Sequence, residues 1–410
     1  MRKTLPTVFV ALIGAAVLSA AASTAAPAKL TPNEELGKKI LFDKGLSIPA
    51  GQDCAACHHP SVGWTGPDEA SNKSGGVYEG AVRGRFGNRK PPAASYAGAS
   101  PVFRLTPDGT FVGGMFWDGR ASGETLGDPL AEQAMGPFLN PLEQNMPDTP
   151  SIILKIKAAS YAELFESVWG SGSLDERDPQ KTYVRIARSI AAYERSAEVN
   201  PFSSKFDAFW RTAKAKGLQV EKISDADARS FAGLGLNADE LKGLILFAGK
   251  GRCAACHVLT PEGGRPPVFT DYAYDNLGIP RNPANPFYAM PKEFNPEGKA
   301  WVDKGLGGYL ETVPKYKPYA AANMGKHKVP TLRNVAKMPR PGFAKAYMHN
   351  GCFKSLKDIV RFYNTRDVAG AGWPGAEVKA NVNTEEMGRL GLTGAEEDLI
   401  VLFMKTLTDR

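Results

Sequence analysis

The sequence predicts a mainly α-helical fold built from two similar units joined by long loops. Three observations carry that expectation. A motif, Cys54-Ala55-Ala56-Cys57-His58, recurs as Cys253-Ala254-Ala255-Cys256-His257. Each copy follows a stretch whose apolar residues keep helical spacing. Strand signals are few, and 43 Gly and 31 Pro call for long connections. A length of 410 residues suits about two domains.

From the N-terminus, MRKTLPTVFVALIGAAVLSAAASTAAPA reads as a secretory signal. Arg2 and Lys3 form its positive end, Leu5 to Leu18 its apolar stretch, and cleavage is expected after Ala22 or Ala26. The run is short and Ala-rich for a span of about 20 residues, and no later segment is long and apolar enough to cross a bilayer. We therefore expect an exported protein without stable membrane insertion, placed in the periplasm of a Gram-negative cell. The expected division is 1–26 signal, 27–200 first unit, 201–236 linker and 237–410 second unit.

The first lead-in, ELGKKILFDKG, sets Leu36, Ile40 and Leu41 on one face. The second, ADELKGLILFAGKG, does so with Leu241, Leu244, Ile245 and Phe247. Both end in Gly, a usual helix stop. Between them, helices are expected over 151–169 and 181–196, the second with a stripe of Tyr183, Ile186, Ala187, Ile190 and Ala191. The stretch 200–236 is polar and irregular and reads as the link. Two amphipathic stretches, 355–364 and 394–408, close the chain. Composition is that of a globular protein, 43% hydrophobic and 23% charged. The net charge of +7 is weak and scattered, which argues against nucleic acid as a partner and would suit an acidic protein.

The CxxCH spacing carries the chemistry. A thioredoxin-type pair needs no following His and sits in a βαβ context, which is missing. Zinc wants a second pair nearby, and the other pair is too distant. CxxCH is the c-type haem attachment signal: two thiols add to the haem vinyls and the adjacent His ligates iron. The fold expectation thus becomes two cytochrome c-like domains, each with one covalent haem c. Cys54, Cys57, Cys253 and Cys256 would form the thioethers, and Cys352 is left as a single thiol without a role.

The five histidines are His58, His59, His257, His327 and His349. His58 and His257 are the proximal ligands. No histidine lies between Pro60 and Cys256, and His59 is too near its own haem to reach the opposite face. Met115, Met135 or Met146 would make the first haem a six-coordinate carrier. Without them its iron is open to a small oxidant.

Beyond these motifs the chain resembles the bacterial dihaem cytochrome c peroxidase superfamily, and within it the MauG-like branch. The resemblance rests on LGKKILFDKGLS, CAACHHPSVGWTGPD, GGMFWDGRASGETLGDPLAEQAMGPFLNPLEQNM, GRCAACH, FTDYAYDNLGIPRN and VPTLRNVAKMPRPGFAKAYMHNGCFKSLKDIVRFYN. It implies that the first haem reacts with hydrogen peroxide and the second is low-spin and passes or stores oxidising equivalents. It places Gln133 and Glu143 over the open face of the first haem, with Pro137 shaping the pocket. Glu143 would move protons and Gln133 would orient peroxide. Trp117 would relay an electron or hole between the haems, and a buried indole there also packs.

In cytochrome-reducing members of the family a Met ligates the second iron, fourteen residues after the His of HDG or HNG. Counting from His349 gives Tyr363, as in the MauG-like branch. A thioether raises the potential, whereas a phenolate favours higher oxidation states. Met338 or Met348 are the alternatives. A reversible sixth His of some relatives is missing from SNKSGGVY. The resemblance also implies an inter-haem calcium ion, yet GNRKPP puts Lys90 where relatives carry a ligating Asn. Asn88 and carbonyls near Ala344 and Ala346 remain as ligands.

The expected function is a periplasmic dihaem peroxidase that reduces hydrogen peroxide. Its electrons would come from a small cytochrome or cupredoxin donor, or from a protein substrate. The alternative is a dihaem electron carrier without peroxidase activity.

Overall fold

The computed structural model describes residues 29–410, so the expected signal segment lies outside the described residues. Twelve α-helices run through them. They are α1 (Pro32–Leu41), α2 (Glu69–Lys73), α3 (Pro129–Leu139), α4 (Thr149–Ala158), α5 (Ala162–Trp169), α6 (Pro179–Glu194), α7 (Lys205–Ala215), α8 (Ala228–Phe231), α9 (Ala238–Ala248), α10 (Gly305–Thr312), α11 (Leu356–Thr365) and α12 (Gly394–Lys405). Among the described residues, strands form two antiparallel pairs, apart from isolated bridges. In one, β1 (Arg104–Leu105) faces β2 (Phe111–Val112); in the other, β3 (Tyr274–Asp275) faces β4 (His327–Lys328). No helix among the described residues is long and apolar enough to cross a membrane.

The two largest apolar cores are one for each lead-in helix. The first gathers Leu36, Ile40, Phe138, Ile152, Phe165 and Ile186. The second gathers Phe206, Phe209, Leu244, Phe247, Ile400 and Phe403. The two lead-in helices are built alike. Thr31 and Asn237 each form a capping box, with Glu34 and Glu240 respectively, which satisfies end N–H groups. Six residues after each cap stands a glycine in close approach. A Cβ on Gly37 would lie 1.8 Å from the Ser189 carbonyl oxygen on α6, and one on Gly243 would lie 2.1 Å from that of Leu399 on α12. The helix pairs α1–α6 and α9–α12 thus repeat one packing device. Asn237→Ala should lower stability by about 1 kcal/mol, read as a smaller unfolding free energy in denaturant; no change would deny the cap that value.

The expected helices hold with three differences. The 151–169 stretch breaks at 159–161 into α4 and α5, where Ala159 leaves helical geometry. The first lead-in stops at Leu41, before its glycine. The third concerns 200–236, which is not irregular throughout. It contains α7, whose Phe206, Phe209, Trp210 and Ala213 enter the second core. There Asp207 pairs at 2.7 Å with Arg333, and both side chains are fully buried. Two donors of Arg333 also reach the Pro267 carbonyl, so the buried charge is both paired and hydrogen-bonded.

The halves are joined near the C-terminus. The carboxylate of Asp409 accepts from Tyr96 O–H (2.8 Å), Asn334 Nδ2 (2.9 Å) and Ser203 N–H (2.9 Å).

Candidate active site

Each attachment motif forms a short helical turn, Cys54–Ala56 and Cys253–Ala255. The Asp53 carboxylate fastens the first by accepting from Ala56 N–H at 2.8 Å. Behind it, His58 Nδ1 lies 3.4 Å from the Trp64 carbonyl. His257 Nδ1 lies 2.9 Å from that of Phe269. A carbonyl partner requires Nδ1–H, which leaves the Nε2 lone pair for a metal. Burial lowers both imidazoles to about 4, so they are neutral near pH 7. The donor sets therefore fit the iron of two attached haems.

The five cysteines form no disulfide. Burial pushes the Cys57, Cys253 and Cys256 thiols up to about 12 and Cys54 higher still. A redox-active pair would show a lowered value. Cys352 is half-buried and likewise raised by burial. His59 serves its own loop. Its Nδ1 accepts from Ser61 N–H at 3.2 Å and caps the turn Pro60–Val62.

One cavity is lined by Cys253, Cys256, His257, Trp117, Met348 and Tyr363. Tyr363 stands on α11, which Ser355 caps. Burial, and then the neighbouring Cys256 and Cys253, drive its phenol well above the ordinary value. A buried phenol keeps its proton unless a cation takes the proton's place, as a bound ferric iron would. Met338, one of the alternatives, is 40% exposed.

Glu143 follows α3 in a turn folded back under that helix. Gln144 N–H donates to the Pro137 carbonyl at 3.1 Å and Met146 N–H to that of Phe138 at 2.8 Å. Asn140 Nδ2 donates to Glu143 Oε1 at 2.7 Å and orients the carboxylate. Burial raises the Glu143 carboxyl, while Arg120 and Asn140 oppose the rise. Its charge in turn raises the Cys57 and Cys54 thiols, so it lies within electrostatic reach of the first attachment turn. Gln133 lies half-buried on α3. Of the methionines considered for the first iron, Met146 packs into the first core with Met135 against it, and Met115 packs with Leu130, Ala131 and Ala191.

Trp117 is buried and held through both backbone and side chain. Its Nε1–H donates to the Lys90 carbonyl at 2.7 Å, and its own carbonyl accepts Lys328 N–H at 2.9 Å. Its ring meets that of His349 edge-on at 6.4 Å between centroids, and His349 stacks on His327 at 3.5 Å. Residues beyond the sequence reading complete the surroundings. Arg120 pairs with Asp118 at 2.9 Å, Asp118 with Arg89 at 2.6 Å, and Arg89 with Asp303 at 2.6 Å. This chain of charges runs from beside Glu143 to the His327–His349 stack. Sequence offered only the adjacency of Arg89 and Asp118 to residues already singled out.

The position considered for calcium holds ammonium groups. Lys90 Nζ donates to Thr65 Oγ1 at 2.6 Å and to the Pro91 carbonyl at 2.8 Å. Between Ala344 and Ala346, Lys345 Nζ donates to the carbonyls of Val62, Asn334 and Lys337. The Asn88 carbonyl accepts from Asn285 Nδ2. These residues do not fit a calcium ion.

Residues 31–215 match the family described as di-haem cytochrome c peroxidase. The methylamine utilization protein MauG of Paracoccus denitrificans (strain Pd 1222) is 33% identical over 411 residues, covering 96% of this chain and 94% of that protein. This chain belongs to the di-haem cytochrome c peroxidase family, on its MauG-like branch. The cytochrome c551 peroxidase of Nitrosomonas europaea is 28% identical over 91% of this chain and 79% of its own length. Among solved structures, the diheme peroxidase BthA of Burkholderia thailandensis E264 superposes with a TM-score of 0.72 at 30% identity. That match covers 93% of this chain and 87% of BthA. As a di-haem peroxidase the chain is an oxidoreductase acting on peroxide, and the family implies two haem c cofactors. The carrier-only alternative is set aside.

Proposed function

We propose that this protein is an exported di-haem peroxidase in which Glu143 is the proton-transfer group and Tyr363 the sixth ligand of the second iron. In this reading residues 27–200 hold the first haem, 237–410 the second, and the periplasm is the site of action. The observation that carries it is the buried Glu143, oriented by Asn140 and within electrostatic reach of Cys54 and Cys57, in a half with no histidine between Pro60 and Cys256.

The haems, when bound, supply the redox chemistry that takes up the two oxidising equivalents of peroxide. The chain's own groups move protons and hold geometry. Glu143 would take a proton from one peroxide oxygen and give it to the oxygen that leaves as water. Gln133 orients the peroxide. His58 and His257 present Nε2 because Nδ1 is engaged. Trp117 stands between the sites as the relay, and a Tyr363 phenolate favours the oxidised pair. Electrons return from an exported protein, either a small cytochrome or cupredoxin or a protein substrate of the MauG type.

Electron paramagnetic resonance of the oxidised protein tests the reading. The expected spectrum mixes one high-spin and one low-spin haem and changes when peroxide is added. Two low-spin haems indifferent to peroxide would overturn it.

A further inference from the structure

The junction between the two attachment sites is built around one buried ammonium. Lys90 is 8% exposed. Its N–H donates to the His349 carbonyl at 2.7 Å, and its carbonyl accepts Trp117 Nε1–H at 2.7 Å. Its Nζ donates to Thr65 Oγ1 and to the Pro91 carbonyl. Thr65 follows Trp64, whose carbonyl faces His58. One residue thus touches the surroundings of the first haem, the second haem and the tryptophan between them.

An ammonium carries three N–H donors. Lys345 uses all three on backbone carbonyls, at 2.9, 3.1 and 3.1 Å, and is complete. Lys90 uses two, and it borders the cavity that would receive the second haem. Burial alone acts on it, pushing it down to about 7; no carboxylate among the described residues pairs with it. Burial disfavours the charge on this amine, and an anion at its spare donor, where no carboxylate of the chain stands, would stabilise the ammonium. The anions expected in this cavity are haem carboxylates.

We propose that the Lys90 ammonium is the inter-haem cation of this chain, giving its third N–H to a haem carboxylate, so that the haem pair forms without calcium. This rests on the reading that haems are attached at both motifs. A fixed positive charge beside a haem favours the reduced iron, because it offsets the charge gained on taking up an electron. The ammonium therefore raises the potential of both haems.

The test uses the full chain with both haems attached. Haem stoichiometry, by the pyridine haemochrome spectrum, is read first; fewer than two covalent haems would overturn the attachment reading and this proposal with it, whereas the outcomes that follow overturn this proposal alone. With both haems present, elemental analysis should find no stoichiometric calcium, and a calcium chelator should leave the oxidised spectrum and both midpoint potentials unchanged. Lys90→Met should move both midpoints negative, and Lys90→Arg should hold them near the parent values. One calcium per chain in the parent protein would overturn the proposal. So would unaltered midpoints in Lys90→Met. If that variant fails to fold, the calcium and chelator measurements on the parent still decide.

Discussion

Glu143→Gln is expected to slow the reaction with peroxide by about 10²–10³-fold while both haems stay attached. The amide keeps the shape and still meets Asn140, but it cannot take the first proton. Stopped-flow spectra of the oxidised protein mixed with peroxide measure the rate. An unchanged rate would remove Glu143 from the chemistry. The pH profile gives a second reading. Burial raises the Glu143 carboxyl above its ordinary value, which in model peptides is about 4.3. A base must be deprotonated to act, so the rate should fall as pH drops through that raised pKa, and the limb should vanish in Glu143→Gln. Stability runs the other way. A carboxyl raised by burial favours the fold when protonated and weighs against it once ionised. Glu143→Gln should therefore leave stability equal or higher at neutral pH, which separates a catalytic loss from a folding defect.

Tyr363→Met should make the second haem easier to reduce, by on the order of a hundred millivolts or more, since axial ligands move haem potentials over about 0.8 V. The phenolate brings a negative charge to iron and the thioether brings none. Spectroelectrochemical titration of both haems measures the change, with the first haem as internal reference. An unaltered second midpoint would show that Tyr363 does not ligate and would turn attention to Met348, which lines the same cavity. A lost response of the second haem to peroxide in Tyr363→Met would fit the loss of a ligand suited to high oxidation states.

How far the sequence could be read depended on whether the deciding neighbour was near in the chain. The lead-in helices were legible from apolar spacing, down to the faces that Leu36 and Leu244 bury. The motif turns were legible because cysteine and histidine spacing is local. The helix α7 was missed, although Phe206, Phe209, Trp210 and Ala213 keep helical spacing, because Lys and Asp between them gave a polar look. The break between α4 and α5 carries no proline or glycine to announce it. Around the site, Glu143 could be named, but Arg120 could not be joined to it. Their meeting depends on packing between α3 and the loop after Trp117. For Lys90 the departure from the family was visible in GNRKPP, whereas its partner Thr65 lies 25 residues back. His327 and His349 are 22 positions apart and gave no hint that they stack.

The join at Asp409 bears on the order of assembly. Its carboxylate reaches Tyr96, 313 positions earlier, and Ser203, 206 positions earlier. A contact across such a separation closes late, because loop entropy must be overcome before it forms. Asp409 lies beyond both attachment motifs in chain order, so this join forms only after both motifs have been delivered. Until then the halves remain unfastened at this point, leaving a window in which thiols destined for burial can meet haem. The Asp409 join acts as a late-closing clasp, and its timing belongs to biogenesis rather than to turnover.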